Sequence, residues 1–360
     1  MKLPRITILA TLLLTAPAAA QLQITPPVAT PGAVPEKQKP KPPPAAKKKE
    51  AAPAPKPSAS PKPAASPKPA LPATVIPAPT TDNPNVDLVF GAYQRGQYKT
   101  AFDLATARAQ AGDPKAMTML GELYSNAMGI RRDYAKALEW YKRASDAGDR
   151  EAMFALAMLR ISGRGGSVDK GEAVKLMASA AKLGEPKAAY NLALLYLDGQ
   201  TLPQDVKRSA ELLRQAADAG LPEAQYALAT FYKEGTGVPK DPERAVRLLQ
   251  AASLADNVDA EVEYAIAMFN GTGTVKNQPA AVALLRKASR QGSAIAQNRL
   301  AWVLINGMGT SVDKVEGFKW HLVAKTSGKG DPELDKQLSD LPAEDRGKAE
   351  AAARKWLGTK

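Results

Sequence analysis

The sequence predicts an all-α protein: a right-handed α/α solenoid of six full 36-residue helix-turn-helix repeats, with a short N-terminal hairpin and C-terminal capping helices. Three observations predict it. Alanines recur every 36 residues in two columns, turn glycines recur between the columns, and each copy has an Asp or Asn at one fixed place. The first column is Ala116, Ala152, Ala188, Ala224, Ala260 and Ala296. A fixed period of about 20 to 50 residues is typical of solenoids, whose units bury apolar faces only against neighbouring units.

One copy, starting at Ala224, shows why each unit forms two helices, which we name helix A and helix B. Ala224, Leu228 and Tyr232 share one face of helix A, and Gly235 ends it in the left-handed conformation. Asp241 then caps helix B. The cap column is Asp133, Asp169, Asp205, Asp241, Asn277 and Asp313. Helix B carries the second alanine column: Ala144, Ala180, Ala216, Ala252, Ala288 and Ala324. The alanines predict closely packed helices.

The first copy resembles a known family. The residues that carry the resemblance are Leu120-Gly121, Tyr124, Ala137, Trp140-Tyr141, Ala144 and Gly148. They are similar to the Sel-1-like repeat (SLR), a relative of the tetratricopeptide repeat with a longer loop between its helices. We assign residues 116–331 to six such repeats. The resemblance implies an α-solenoid that holds partner proteins, and no particular reaction. Departures from the pattern, such as Ser209 and Gly317 in an alanine column, indicate local repacking within the same fold.

The segment before the repeats predicts export. Residues 1–20 combine basic Lys2 and Arg5, a short apolar run and Ala18-Ala19-Ala20, which is typical of a cleaved signal peptide. Residues 21–85 predict a disordered linker rich in Pro, Lys and Ala, with 19 of the 30 prolines. Its nine lysines against three acidic residues leave a charge of +6, about half of the whole chain's +13. We therefore expect a periplasmic or secreted protein whose tail acts mainly as a spacer.

Both ends of the array predict caps. Residues 86–115 form a shortened hairpin in which Tyr93 and Ala101 are only 8 residues apart, so the loop between its helices nearly disappears. Residues 332–360 predict two capping helices: Pro342 separates them, and Ala349, Ala353 and Trp356 lie along one side of the last. Terminal repeats of a solenoid cover its open ends and are usually atypical.

The composition gives little support for catalysis. The chain has no cysteine and a single histidine, His321, which the repeat pattern places in the packed layer of helix B. We expect no metal site, no cofactor, no catalytic residue and no enzymatic activity. The basic residues do not alternate with aromatic ones in a stripe, which does not favour a nucleic-acid partner.

Helix A carries a row of apolar residues that could bind a partner. The resemblance to tetratricopeptide units implies that the residues two before, two after and five after the Leu228 position turn toward the concave surface; we call these the inner positions. The candidate partner-binding residues are Phe154, Met158, Ile161, Tyr190, Leu194, Leu197, Tyr226, Ile266, Phe269 and Trp302. The first repeat is polar here, with Thr118, Glu122 and Ser125. The row predicts a groove for an apolar peptide or helix, unless tight curvature buries it within the protein itself.

These observations predict a non-enzymatic interaction scaffold or regulator of another envelope protein. The resemblance implies one well-known type, a periplasmic regulator that inhibits a sensor kinase. Two alternatives stay open. The first is a structural spacer whose cationic, Pro-rich tail makes weak contact with anionic envelope polymers. The second is a β-lactam-binding or β-lactam-hydrolysing envelope enzyme, which the resemblance to cysteine-rich relatives implies and the missing cysteines argue against.

Overall fold

The computed structural model describes residues 87–358, and the predicted signal peptide and linker lie outside the described residues. The described stretch contains sixteen helices and no strand. The helices are α1 Leu88–Gln94, α2 Tyr98–Gln110, α3 Pro114–Asn126, α4 Tyr134–Asp146, α5 Arg150–Ser162, α6 Lys170–Lys182, α7 Pro186–Asp198, α8 Val206–Asp218, α9 Pro222–Glu234, α10 Pro242–Leu254, α11 Val258–Asn270, α12 Gln278–Arg290, α13 Ala294–Asn306, α14 Lys314–Thr326, α15 Pro332–Ser339 and α16 Ala343–Gly358. This confirms the all-α prediction.

Helices α3 to α14 form the six repeats, the odd-numbered ones as helix A and the even-numbered ones as helix B. Each helix packs against the helices before and after it in the chain, which is the contact pattern of a solenoid. Every alanine of both predicted columns is buried. Helix A of the first repeat begins at Pro114, two residues before Ala116, because Asp113 caps α3 and Pro114 occupies its first turn.

The cap column performs the same function in all six copies. Each Asp or Asn accepts a hydrogen bond from the backbone N–H three residues later, over donor–acceptor distances of 2.9–3.1 Å. An N-cap of this kind contributes about 0.5–2 kcal/mol to stability. The caps therefore fix the start of every helix B.

Four of the six loops contain two glycines, and the two have different structural roles. The first, such as Gly235 with φ +79°, is the left-handed C-cap of helix A. The second, such as Gly165 or Gly237, lies against the start of helix B of the preceding repeat. A Cβ at Gly165 would lie 2.5 Å from the carbonyl oxygen of Tyr134, and one at Gly237 would lie 2.6 Å from that of Val206. Where it is present, the second glycine therefore allows close contact between repeats as well as the turn.

Two glycines within helices leave room for a larger neighbouring side chain. Gly121 stands where the other copies have alanine, because Tyr141 is larger than its counterparts: a Cβ at Gly121 would lie 2.5 Å from the Tyr141 ring. Gly317, a departure from the repeat pattern, leaves room for Ile305, whose Cγ1 would lie 2.6 Å from a Cβ at residue 317. The departure at Gly317 is thus accommodated by local repacking within the same fold.

Both ends of the array have the predicted capping helices. At the N-terminal end, only Arg95, Gly96 and Gln97 separate α1 from α2. At the C-terminal end, α16 packs along α14, and the rings of Trp320 and Trp356 meet edge-on with their centroids 5.1 Å apart. Helix α15 contributes mainly Leu334 to the core, where that side chain is fully buried.

Candidate functional site

The ten candidate residues on the inner positions differ in their accessibility. Eight are half-buried: Phe154, Met158, Ile161, Tyr190, Leu194, Leu197, Tyr226 and Ile266. Phe269 and Trp302 are buried, with exposed fractions of 1% and 7%. These two residues are covered by the protein itself, which is the alternative left open for the row, and they do not contact a partner in this structure.

The C-terminal inner positions are covered by the chain itself. Trp302 donates its indole N–H to the carboxylate of Asp331 over 2.8 Å, and the Asn298 amide donates to the carbonyl of Lys329 over 3.3 Å. The loop after α14 therefore lies against α13. Ile305, in the inner position five residues after Leu300, fills the space left by Gly317 and is also buried. The last repeat has no open groove.

Charged groups occupy the inner surface next to these covered positions. Arg299 is 5% exposed and donates to the side-chain oxygen of Asn298 over 2.8 Å. Burial lowers the pKa of Arg299 to about 10, although the charges of Glu263 and Asp331 oppose the change. Lys233 pairs with Glu263 over 2.9 Å and so links the fourth repeat to the fifth. Arg299 therefore remains charged at neutral pH, and its side chain packs within the C-terminal half of the repeats.

Accessible concave space is found in the first half of the described chain. One site, which we name the main groove, has a volume of about 650 Å³ and extends from α3 to the start of α9. Its walls include the predicted residues Phe154 and Met158, together with Leu221. Arg150 and Glu185 also line it and form an ion pair at 3.8 Å. Of the ten candidate residues, only Phe154 and Met158 line the main groove.

Sequence reasoning missed the polar side of the main groove. Thr118, Glu122 and Ser125 line it, although they had been set apart as a polar exception. Ser125 is within 3.3 Å of the Tyr141 hydroxyl, and Glu122 accepts a hydrogen bond from Asn126 over 2.9 Å. The sequence contained the information needed to find them, because these three residues occupy the same inner positions as the apolar candidates. The groove is therefore amphipathic.

Tyr190 and Tyr226 lie beyond the main groove in the third and fourth repeats. Burial raises the pKa of both phenols, helped by the charge of Glu223 for Tyr190 and by those of Glu263 and Asp259 for Tyr226. Both hydroxyls are therefore protonated at neutral pH and can donate a hydrogen bond. Neither has a shift toward the acidity that a catalytic phenol would need.

His321 is fully buried in α14, as the repeat pattern predicts. Its Nε2 lies 2.9 Å from a carboxylate oxygen of Asp335, which also pairs with Lys325 at 2.7 Å. The three groups join α14 to α15. Within residues 87–358, no group of three or more His, Cys, Asp or Glu side chains is arranged to hold a metal ion. None of the helices in that stretch is both long and apolar enough to span a bilayer.

Comparison with known proteins agrees with this architecture. The Sel1 repeat family model matches residues 114–149, 150–185, 186–221, 222–257, 258–293 and 294–328. The comparison with curated proteins found no match.

Among solved structures, a protective antigen of uropathogenic Escherichia coli strains with an SLR fold is 24% identical, with a TM-score of 0.63. That match covers 76% of this chain and 63% of the antigen, so this chain spans less than two thirds of its length. A Sel1 repeat protein from Oxalobacter formigenes is also 24% identical, with a TM-score of 0.57, and the match covers 66% of this chain and 94% of that one. At this identity the likeness shows the fold alone.

Proposed function

The chain belongs to the Sel1 repeat family, and from this premise we propose that it is a non-enzymatic periplasmic scaffold that regulates another envelope protein by binding its helix or peptide in the main groove. Proteins built from Sel1 repeats generally mediate protein–protein interactions and typically act as non-enzymatic scaffolds. The signal-like sequence of residues 1–20 supports the periplasmic part of this proposal.

The observation that carries this proposal is the composition of the main groove. Phe154 and Met158 provide an apolar wall, while Thr118, Glu122 and Ser125 provide polar groups opposite a partner's backbone or side chains. A helix with one apolar and one polar face fits such a surface, as in other helix-in-groove complexes. The partner we expect is thus amphipathic, not uniformly apolar.

Site-specific photocrosslinking tests the groove directly. A photoreactive phenylalanine analogue replaces Met158 in one variant and Val275 in another, because Val275 is an apolar loop residue that is 85% exposed and outside the groove. We expect an adduct of one defined mass from residue 158 in intact cells and none of that mass from residue 275. The second substitution Phe154→Ser should abolish the adduct, whereas Leu254→Ser, at an exposed site outside the groove, should not.

Two results would reject the proposal. Equal adducts from residues 158 and 275 would show non-specific contact, and an adduct that survives Phe154→Ser would place the partner elsewhere. The location is checked separately: the periplasmic fraction should contain a chain whose first residue is Gln21. A chain that begins at Met1 in the cytoplasmic fraction would refute the periplasmic part.

A further inference from the structure

The main groove continues at its N-terminal end into a second concave site, which we name the N-terminal cleft. This cleft lies between α1, α3 and the start of α5 and has a volume of about 450 Å³. It shares Thr118, Glu122 and Glu151 with the main groove, so the two sites form one continuous surface. A helix that extends beyond the main groove past α3 therefore enters the cleft.

The apolar lining of the N-terminal cleft is partly aromatic. Phe90, Tyr93 and Met119 form it, and Phe90 is 51% exposed. Burial and the charge of Glu122 raise the pKa of Tyr93, so its hydroxyl stays protonated at neutral pH. The face of an uncharged aromatic ring attracts a nearby cation as well as apolar groups. The lining is therefore compatible with an apolar side chain and with a lysine or arginine.

The polar lining of the N-terminal cleft carries an excess of negative charge. Its charged groups are four carboxylates, from Asp87, Glu122, Asp149 and Glu151, and the cations of Arg108 and Lys115. Arg108 is engaged, because it pairs with Asp87 over 2.9 Å. Asp149 is engaged as well, since its carboxylate caps α5. Within residues 87–358, Glu122 and Glu151 form no ion pair, so both are available to a cationic ligand.

The rest of the main groove has a different charge. Among the described residues that line it away from the cleft, three are cationic, Arg150, Arg164 and Lys187, and one is acidic, Glu185. The side chain of Glu185 pairs with Arg150 over 3.8 Å. The excess of negative charge therefore lies at the cleft end of the combined surface.

We propose that the partner helix ends in a cationic segment, and that this segment occupies the N-terminal cleft with lysine or arginine side chains beside Glu122 and Glu151. An apolar side chain next to them packs against Phe90. The helix is the one that the main groove binds, so this inference rests on the proposed function. Charge complementarity selects this occupant, because the carboxylates repel an acidic segment and an uncharged segment gains no ion pair from them.

Binding of two defined peptides to the full-length chain tests the charge preference. Both are fluorescein-labelled helices of about 18 residues with one leucine face. The first has lysines on the polar face of its C-terminal half, and the second has glutamines at the same positions. We expect fluorescence anisotropy to show tighter binding of the lysine peptide at roughly 0.05 M salt and a much smaller difference at roughly 0.5 M, because salt screens ion pairs. Equal affinity at low salt, or no binding of either peptide, would overturn the proposal.

Carboxylate variants identify the groups that the lysines contact. Glu122→Gln with Glu151→Gln should weaken binding of the lysine peptide about 2- to 30-fold and leave binding of the glutamine peptide unchanged. The matched control, Glu234→Gln with Glu243→Gln, removes the same charge from exposed residues outside both sites and should leave both affinities unchanged. Equal weakening by the two double variants would indicate a general effect of net charge and reject the cleft as the binding site.

Photocrosslinking locates the cationic segment. A photoreactive phenylalanine analogue replaces Phe90 in one variant and the exposed loop residue Val275 in another. Mass spectrometry should find the adduct of residue 90 in the lysine-bearing half of the peptide, and no adduct from residue 275. An adduct in the other half would contradict the proposed placement. An adduct that joins two copies of the chain in place of the peptide would identify a second copy as the occupant and overturn the proposal.

The Phe154→Ser variant separates this proposal from the proposed function. It removes part of the apolar wall of the main groove and should weaken binding of both peptides. If it does so while the carboxylate variants have no effect, the cationic segment is refuted and helix binding in the main groove stands. Unchanged binding of both peptides to Phe154→Ser would instead refute binding in the main groove.

Discussion

Replacing Gly273 by alanine should weaken the junction between the fourth and fifth repeats far more than the same change at Gly271, two residues earlier. Both glycines have left-handed backbones, with φ +70° and φ +79°. An alanine in that conformation costs about 1–2 kcal/mol at either site. The difference in unfolding free energy between the two variants therefore measures the cost of the contact that only residue 273 makes.

The structure gives the size of that difference. A Cβ at residue 271 would lie 3.1 Å from the Cβ of Lys276 and 3.5 and 3.6 Å from its backbone nitrogen and Cα, so a local shift of a few tenths of an ångström in this loop relieves the contact. A Cβ at residue 273 runs into the backbone carbonyl of Pro242 and lies 3.1 Å from the amide nitrogen of Glu243. Overpacking against atoms that cannot move costs about 1–3 kcal/mol more. We expect a loss of about 1–2 kcal/mol for Gly271→Ala and of about 2–5 kcal/mol for Gly273→Ala.

Urea unfolding can follow the two halves of the array separately. In a Trp140→Phe background, the remaining tryptophans are Trp302, Trp320 and Trp356, all in the last repeat or its cap. Their fluorescence reports the C-terminal end, and circular dichroism reports all helices. The two transitions should coincide in the parent and in Gly271→Ala, and separate in Gly273→Ala, because stability in a solenoid depends on contacts between neighbours. Equal losses in both variants, or coincident transitions in both, would refute the reasoning.

Three further predictions concern local features of the repeats. Ala127→Gly should raise the free energy of unfolding by about 0.5–1 kcal/mol in a urea titration, because Ala127 is left-handed at φ +59°; a loss would contradict this. Gly121→Ala should lower it by about 1–3 kcal/mol through the clash with the Tyr141 ring, and adding Tyr141→Leu should restore most of that loss; no rescue would exclude the clash as the cause. The pKa of Asp335 lies below its ordinary 3.8, chiefly because its carboxylate accepts a hydrogen bond from Lys325. The ionised carboxylate therefore contributes to the stability of the fold above pH about 4, and this contribution is lost as the pH falls through the lower, folded-state pKa. Asp335→Asn should therefore destabilise the chain at pH 7 and match the parent at pH about 2, whereas the exposed control Asp340→Asn should show no such trend.

The repeat architecture was predictable because six copies report the same physical requirement. One aspartate before a helix is weak evidence, whereas an Asp or Asn at the same position in six units indicates a cap, and all six accept the expected bond. The alanine columns are similar. A residue that must be small in every copy lies where two helices approach closely, and every one is buried.

The function of the second loop glycine was not predictable in this way. A glycine column indicates a left-handed turn, and Gly237 and Gly273 do have positive φ. The sequence does not show which other backbone lies beside that turn. The contact joins residues of different repeats, such as Gly237 and Val206, so only the stacked structure reveals it.

The candidate residues show that equivalent positions in different repeats can differ in accessibility. The same inner position holds Ile161 in one repeat and Ile305 in another, yet only the second is buried, because Gly317 opposite it leaves a space to fill. Trp302 is likewise covered by Asp331, which lies in a loop two residues longer than the corresponding loops of the earlier repeats. Accessibility thus depends on the residue facing each position and on the chain that follows.

This difference between the halves bears on how a partner would bind. The last repeat closes its own inner surface, whereas the main groove is open and is lined by residues of the first three repeats and the start of the fourth. A partner in the main groove therefore contacts α3 and α5 and does not reach the C-terminal cap. Substitutions in α15 or α16 should change partner affinity only through stability, whereas Phe154→Ser should lower the affinity and leave the cap intact. An equal loss of affinity from both kinds of variant would show that the partner depends on the whole array and not on the groove.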